Sequence, residues 1–349
     1  MQIDALAQLM AMHPEVDVLS QALSRKRNGH FLLSGLYASA KAIILTSLHK
    51  QLARIGAAPP MMIVLDDTDA AQYMYADIKT LIDERDVYYF PCSQRRRQKT
   101  DEALTVQRTE VLTALLGDEA KSERRKVSPI IVTTAEALAE AVPNPQVLEK
   151  NKISLSISEE IPISMLTEML LNLDFKRVDF VYEPGQFAVR GGIVDVYSFA
   201  HDIPVRIDFF GDEIDSIREF ELETQLSKNK VDSVDIVGSQ SDEKDITTIL
   251  AYLPQETLWI SSDFGLMKFK MTSTITDITV EAVLDKIWQS STLELNQRST
   301  FDNHEVVRFD TLPQPTFNKN FELLIEDLQQ NIGEGYKIYI LADQVKQTD

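Results

Sequence analysis

Short, unbroken apolar runs alternate with longer amphipathic stretches over the first 145 positions. Phe31-Leu32-Leu33 leads through a small-residue turn into AKAIILTSLHKQLARIG, which reads as a helix ending at Gly56. Met61–Leu65 is apolar throughout and is followed by Asp66-Asp67. Val87–Phe90 is a second such run, stopped by Pro91, and IIVTT, ending at Thr134, is a third, followed by the helix-like AEALAEAV. A strand that is apolar at every position is buried on both faces. The pattern therefore predicts a parallel sheet with helices packed on both sides.

The period then changes. Ile153, Leu155 and Ile157 alternate with polar residues, and PISMLTEMLLNLDF reads as a helix whose early Pro162 loses nothing by lacking an N–H. Strand signals broken by glycine follow: Phe187 and Val189, Gly191-Gly192, IVDVY, then VRIDFFGDEIDSI. This grammar predicts a small antiparallel α+β module. From about Val234 the α/β pattern returns, with a strand at Thr257–Ile260, amphipathic helices VEAVLDKIWQ and FELLIEDLQQNI, and a buried strand in YKIYILAD. LGDEAKSERRKVS and SKNKVDSVDIVGSQSDEKD read as surface loops. The simplest organisation is one α/β domain, residues 1–145 and 231–349, interrupted by a module at 146–230.

Charge narrows the function classes. The net charge is −19, with a hydrophobic fraction of 44% and a charged fraction of 26%, as in an ordinary globular protein. Such an acidic surface repels nucleic acid at long range and fits protein partners at least as well. Cys92 is the one cysteine, so an intrachain disulfide is excluded and a reducing cytoplasm is expected. The five histidines stand singly, without metal-ligand spacing, so no metal is expected. The N-terminal MQIDALAQLM lacks the basic start of a secretory signal, and no apolar run is long enough to span a bilayer.

GLYASAKA, from Gly35 to Ala42, follows an apolar strand and opens a helix, the setting of a phosphate-binding loop. Set against G-x-x-x-x-G-K-[ST], Gly35 and Lys41 match. Ala40 replaces the second glycine, where a Cβ crowds the approach of phosphate, and Ala42 replaces the hydroxyl that would hold magnesium. A plain strand-turn-helix built from small residues explains the same letters. Either way, nucleotide hydrolysis at this loop is not expected. LIDERD, at 81–86, lies at a helix end before a strand, the wrong place for a metal-binding acidic box.

The most specific text is RVDFVYEPGQFAVRGGIVDVYSFAHDIPVRIDFFGDEIDSIREFELETQLS, from Arg177 to Ser227. Its G-x-F-x-V-R-G, I-V-D-V, V-R-I-D-F-F-G-D-E and E-x-E-T-Q-x-S elements closely resemble the interaction module of bacterial transcription-repair coupling factors and the equivalent domain of the excision-repair protein UvrB. The resemblance implies a degenerate P-loop, helicase-like (RecA-like) α/β domain with that module inserted. It implies a role in recruiting UvrA to lesion-stalled RNA polymerase, and a fragment of a longer ATP-dependent DNA translocase. Polymerase and duplex DNA would be bound by regions beyond this chain. ATP and magnesium would belong to the motor of the full-length family, and no cofactor to the fragment. It also implies that another domain of the full-length protein covers the module until the motor engages.

In VRIDFF successive side chains face opposite ways, so Val205, Ile207 and Phe209 should point to the core and Arg206, Asp208 and Phe210 outward. Arginine and aromatic residues most often dominate binding energy. By resemblance, Arg190, Arg206 and Asp208 match positions that contact UvrA, with Arg177 and Phe210 as further candidates. A further UvrB arginine is Ala188 here. The bland alternative for Arg206 and Asp208 is a solvated ion pair contributing ~0.2–1 kcal/mol. Two other functions stay open: an active UvrB-like helicase on damaged DNA, which Ala40 and Ala42 disfavour, and a DNA-binding module using Arg25-Lys26-Arg27, Arg95-Arg96-Arg97 or Arg124-Arg125-Lys126. Those runs lack the interleaved aromatics of a nucleic-acid groove. The tyrosine-rich clamping hairpin of UvrB is replaced by SQRRRQKTDEA.

Overall fold

The structure is a computed structural model that describes residues 10–25, 28–82, 86–93, 102–116, 128–238, 245–273 and 280–338. The chain divides into two compact units, Met1–Asp310 and Thr311–Asp349. The expected third range, 231–349, spans that division.

In the first unit, strands β1 (His30–Ser34), β2 (Met61–Leu65), β3 (Val87–Phe90) and β4 (Ile130–Thr134) alternate with helices α1 (Pro14–Arg25), α2 (Ala40–Arg54), α3 (Thr68–Leu81) and α4 (Glu102–Leu116). A single turn, α5 (Ala135–Leu138), and a short strand, β5 (Val142–Pro143), follow, then α6 (Pro145–Lys150). The expected helix AEALAEAV thus ends at Leu138. Ala135, Ala137 and Leu138 are buried, and Val142 leaves the helix to pair with Thr247, so packing overrides the helix propensity of alanine.

The module comprises β6 (Lys152–Ser156), α7 (Ile163–Asn172), β7 (Lys176–Arg177), β8 (Gln186–Arg190), β9 (Ile193–Tyr197), β10 (Val205–Phe210), β11 (Glu213–Phe220), β12 (Ser227–Val231) and β13 (Ser233–Val237). After it come β14 (Ile246–Thr247), β15 (Leu258–Ser261), α8 (Phe264–Ser273), α9 (Val280–Trp288), β16 (Thr292–Glu294) and β17 (Glu305–Arg308).

Among the described residues the main sheet has the order β17-β1-β16-β15-β2-β4-β3, and every pairing is parallel. Strands from before and after the module share it, so the module is an insertion into one α/β fold, as expected. Alternate strand residues feed two cores. Leu33, Ile63, Val132 and Ile260 meet α1–α3, while Met62, Val64, Ile131 and Trp259 meet α4, α5, α8 and α9.

The module's sheet has the order β12-β11-β10-β9-β8-β7. One face carries Phe187, Val194, Val196, Val205, Ile207, Ile214 and Ile217, covered by Leu166 and Leu170 of α7 and by Ile153, Leu155, Val234 and Ile236 of the β6–β13 ladder. The segment expected as a loop, SKNKVDSVDIVGSQSDEKD, therefore supplies two strands. Ser227–Val231 is a polar edge strand, and Ser233–Val237 closes the module's frame. Its lysines mislead because an edge strand needs polar, charged side chains to stay unpaired. The ladder runs past residue 230, the expected end of the module.

In the second unit α10 (Phe321–Gly333) is capped by Asn320, whose side chain accepts from the N–H groups of Glu322 and Leu323. Tyr336–Ile338 carries no strand, and the rest of YKIYILAD lies outside the described residues. So do most of SQRRRQKTDEA, the runs Arg95–Arg97 and Arg124–Lys126, Lys26-Arg27, and nearly all of LGDEAKSERRKVS.

Candidate functional site

The module's second face is the candidate site. Two tight hairpins set it up. Gly191, with φ +63°, turns β8 into β9, and Gly211, with φ +68°, turns β10 into β11. Both need the left-handed backbone that glycine adopts freely. The ladder then puts Arg206 directly opposite Asp195 on one side and Arg218 on the other. Val205, Ile207 and Phe209 face the core, as expected, and alternation turns Arg206, Asp208 and Phe210 away from it. A β-bulge in β11 beyond Asp208 leaves β10 itself regular.

Asp195 is the centre of the face. It is 0% exposed, and its carboxylate is held by two arginines. Arg206 donates side-on, from Nε to Oδ1 at 2.7 Å and from Nη2 to Oδ2 at 3.0 Å. Arg190 donates from Nη2 to Oδ2 and from Nη1 to the carbonyl of Asp179 at 3.2 Å. The Arg206 side chain is 16% exposed and that of Arg190 36%. Arg206 also donates to the carbonyl of Gln225 at 3.2 Å, and its guanidinium carbon lies 4.8 Å from the ring centroid of buried Phe220. Arg190 lies 5.1 Å over Phe180. The hydrogen bonds to Asp195 hold the Arg206 pKa above its ordinary value. Ala188, opposite Asp195 in the neighbouring strand, is buried with Val181 and Phe220 in a small apolar patch on this face.

Asp208 does not pair with Arg206. It accepts from Arg218 Nη2 at 2.8 Å and from the Ser216 hydroxyl at 3.0 Å. Phe210 is 82% exposed at the hairpin tip. Arg177 pairs with Phe187, whose side chain belongs to the core, so the register sets Arg177 on the opposite side of the sheet from Arg206. Sequence reasoning missed Asp195 and Arg218 as members of the site. The signal for Asp195 was present, because an acid inside the apolar strand IVDVY must be paired if it is buried.

The degenerate loop is closed by its own turn. The Ala40 N–H donates to Tyr37 O at 3.0 Å, Lys41 N–H to Ala38 O at 3.3 Å, and Ile43 N–H to Ser39 O at 3.0 Å. Ala42 is buried in the core. Gly35, with φ +78°, is required by packing, since a Cβ there would lie 1.8 Å from the Phe309 carbonyl oxygen. Cys92 is not poised as a nucleophile. Its thiol donates to Glu140 Oε1 at 3.0 Å, and burial together with that carboxylate pushes its pKa to about 12. No group of metal-ligating side chains occurs among the described residues, and no helix among them is long and apolar enough to cross a membrane.

Residues 153–241 match the UvrB interaction domain family, a span that runs from the first module ladder to just past the last. The inserted module is thus similar to the UvrB interaction domain. The chain is also 28% identical over 208 residues to the transcription-repair-coupling factor of Bacillus subtilis (strain 168), covering 59% of this chain and 17% of that protein. It is 26% identical over 228 residues to the transcription-repair-coupling factor of Staphylococcus aureus (strain USA300), covering 64% of this chain and 18% of that one. The resemblance read from Arg177–Ser227 is borne out, and the matched part spans less than a fifth of those relatives' length. The module that matches the UvrB interaction domain therefore presents its arginine pair from an α/β frame, in a chain similar to coupling factors over about 60% of its length.

Proposed function

We propose that this chain is the UvrA-recruiting part of a transcription-repair-coupling factor, with Arg190 and Arg206 as the docking residues and Asp208 and Phe210 beside them. One observation carries the reading: a module that matches the UvrB interaction domain fixes two arginines on one buried carboxylate, on the side of its sheet opposite the module's core. Arginine in such a setting is a strong interface anchor. The chain's own nucleotide loop contributes no hydrolysis. Ala40, Ala42 and the amides already bonded within the loop support this. ATP, magnesium, duplex DNA and RNA polymerase belong to parts of the full-length protein beyond this chain, which displaces the polymerase by translocation.

Calorimetry with UvrA tests the reading. Arg206→Ala and Arg190→Glu are each expected to weaken binding by at least about tenfold while the circular dichroism spectrum stays that of the wild type. Unchanged affinity in both would overturn it.

A further inference from the structure

The carboxylate of Asp195 shares one negative charge between two guanidiniums, so the pair keeps one uncompensated positive charge. The chain around it has a net charge of −19. The contacts also fix where that charge points. Arg206 turns Nε and Nη2 toward Asp195 and Nη1 toward Gln225, and Arg190 is held by Asp195 and Asp179. Gln225 Nε2 donates to the Val181 carbonyl at 3.4 Å and so ties together the two loops bordering the pair. Those loops expose three large apolar side chains, Phe180, Tyr182 and Leu226.

We propose that Asp195 is the positioning residue of this face: it presents Arg190 and Arg206 as one preset cationic spot for a single carboxylate on the partner, and Phe180, Tyr182 and Leu226 form the apolar rim that keeps water from that contact. The proposal rests on the docking reading above. A fixed guanidinium loses little side-chain freedom on binding, and a rim that excludes water strengthens the polar contact it encloses. The charge balance selects the occupant. One net positive charge is complemented by one carboxylate, and the exposed rings suit an apolar protein surface around it.

The experiment measures UvrA affinity of the full chain for Asp195→Asn, Arg190→Ala, Arg206→Ala, the double arginine variant and Leu226→Ser, each checked for fold by circular dichroism. Arg206→Ala should weaken binding at least about tenfold; no effect would sink the docking reading itself. Folded Asp195→Asn should also lose at least about tenfold, although it removes no group that touches the partner. The two arginine losses should be strongly non-additive, the double variant being little weaker than the poorer single one. Folded Asp195→Asn with wild-type affinity, or arginine losses that simply multiply, would overturn the positioning role while leaving docking intact. If Asp195→Asn does not fold, the arginine cycle decides alone. Leu226→Ser replaces an exposed side chain, so it carries little folding risk. It should weaken binding by about threefold or more with the salt dependence unchanged, and wild-type affinity there would remove the rim from the proposal.

Discussion

Asp195→Asn should destabilise the folded chain more than the loss of Arg190. The substitution keeps the shape of the side chain but removes its charge, and it turns one acceptor oxygen into a donor amide facing a guanidinium N–H. Asp195 is fully buried and takes three hydrogen bonds from the two arginines. Removing one partner of a buried ion pair costs about 3–5 kcal/mol. Arg190 is about a third exposed and Arg206 less so, so both can recover some hydration. That discount brings the expected cost to roughly 2–4 kcal/mol. Arg190→Ala leaves Asp195 with the side-on pair from Arg206 and should cost only about 1 kcal/mol. Urea unfolding at neutral pH, followed by circular dichroism, measures both. An Asn variant that loses less than about 1 kcal/mol, or less than Arg190→Ala, would show that the carboxylate does not organise the face.

Three further outcomes follow from other parts of the molecule. Gly35→Ala should cost about 3 kcal/mol or more, because a Cβ would strike the Phe309 carbonyl in a left-handed backbone; urea unfolding reads it, and a near-neutral result would refute the packing role of this glycine. Restoring the phosphate-loop letters with Ala40→Gly and Ala42→Thr together should not create MgATP binding, because the loop amides are bonded to Tyr37, Ala38 and Ser39; a calorimetric Kd in the micromolar range would contradict this. Burial, reinforced by Asp202 and opposed by Lys79, pushes the Glu110 pKa up to about 7, so the fold favours its neutral form. Its stabilising effect is full below the unfolded pKa and is lost as pH rises to about 7. Glu110→Gln should therefore match the wild type near pH 4 and exceed it by roughly 1–3 kcal/mol near pH 8; equal pH profiles of unfolding would refute it.

How far the sequence carried can be judged residue by residue. The fully apolar runs at Met61–Leu65 and Ile130–Thr134 announce a sheet covered on both faces, because only burial on both sides removes alternation. Alternation in VRIDFF likewise separates Ile207 from Arg206. The partners of Arg206 and Asp208 were not legible. Which acid meets which base depends on register, and the register follows from hairpins closed at Gly191 and Gly211 together with a bulge in β11. The side on which Arg177 lies was not legible for the same reason: its neighbours in sequence are those of the candidate face, but its pairing with Phe187 sets it on the other side of the sheet. SKNKVDSVDIV misled by composition, since polarity alone does not separate an edge strand from a loop.

The charge arrangement of the face bears on what kind of partner it can choose. Three arginines, Arg190, Arg206 and Arg218, meet two aspartates, Asp195 and Asp208, within one set of contacts. Had the aspartates been absent, the same strands would offer a row of guanidiniums, and a row of cations grips any phosphate backbone by releasing counterions. With them, most of the positive charge is spent inside the protein, and what is left is small, fixed in direction and bordered by aromatic and aliphatic side chains. On a chain whose net charge is −19, that remaining charge adds little long-range attraction for nucleic acid. It can still discriminate at contact, where a carboxylate must arrive at one place with the right apolar surroundings. On the proposed docking reading, the buried acid at position 195 does two things at once: it makes the arginines rigid enough to be recognised and too nearly neutral to be promiscuous.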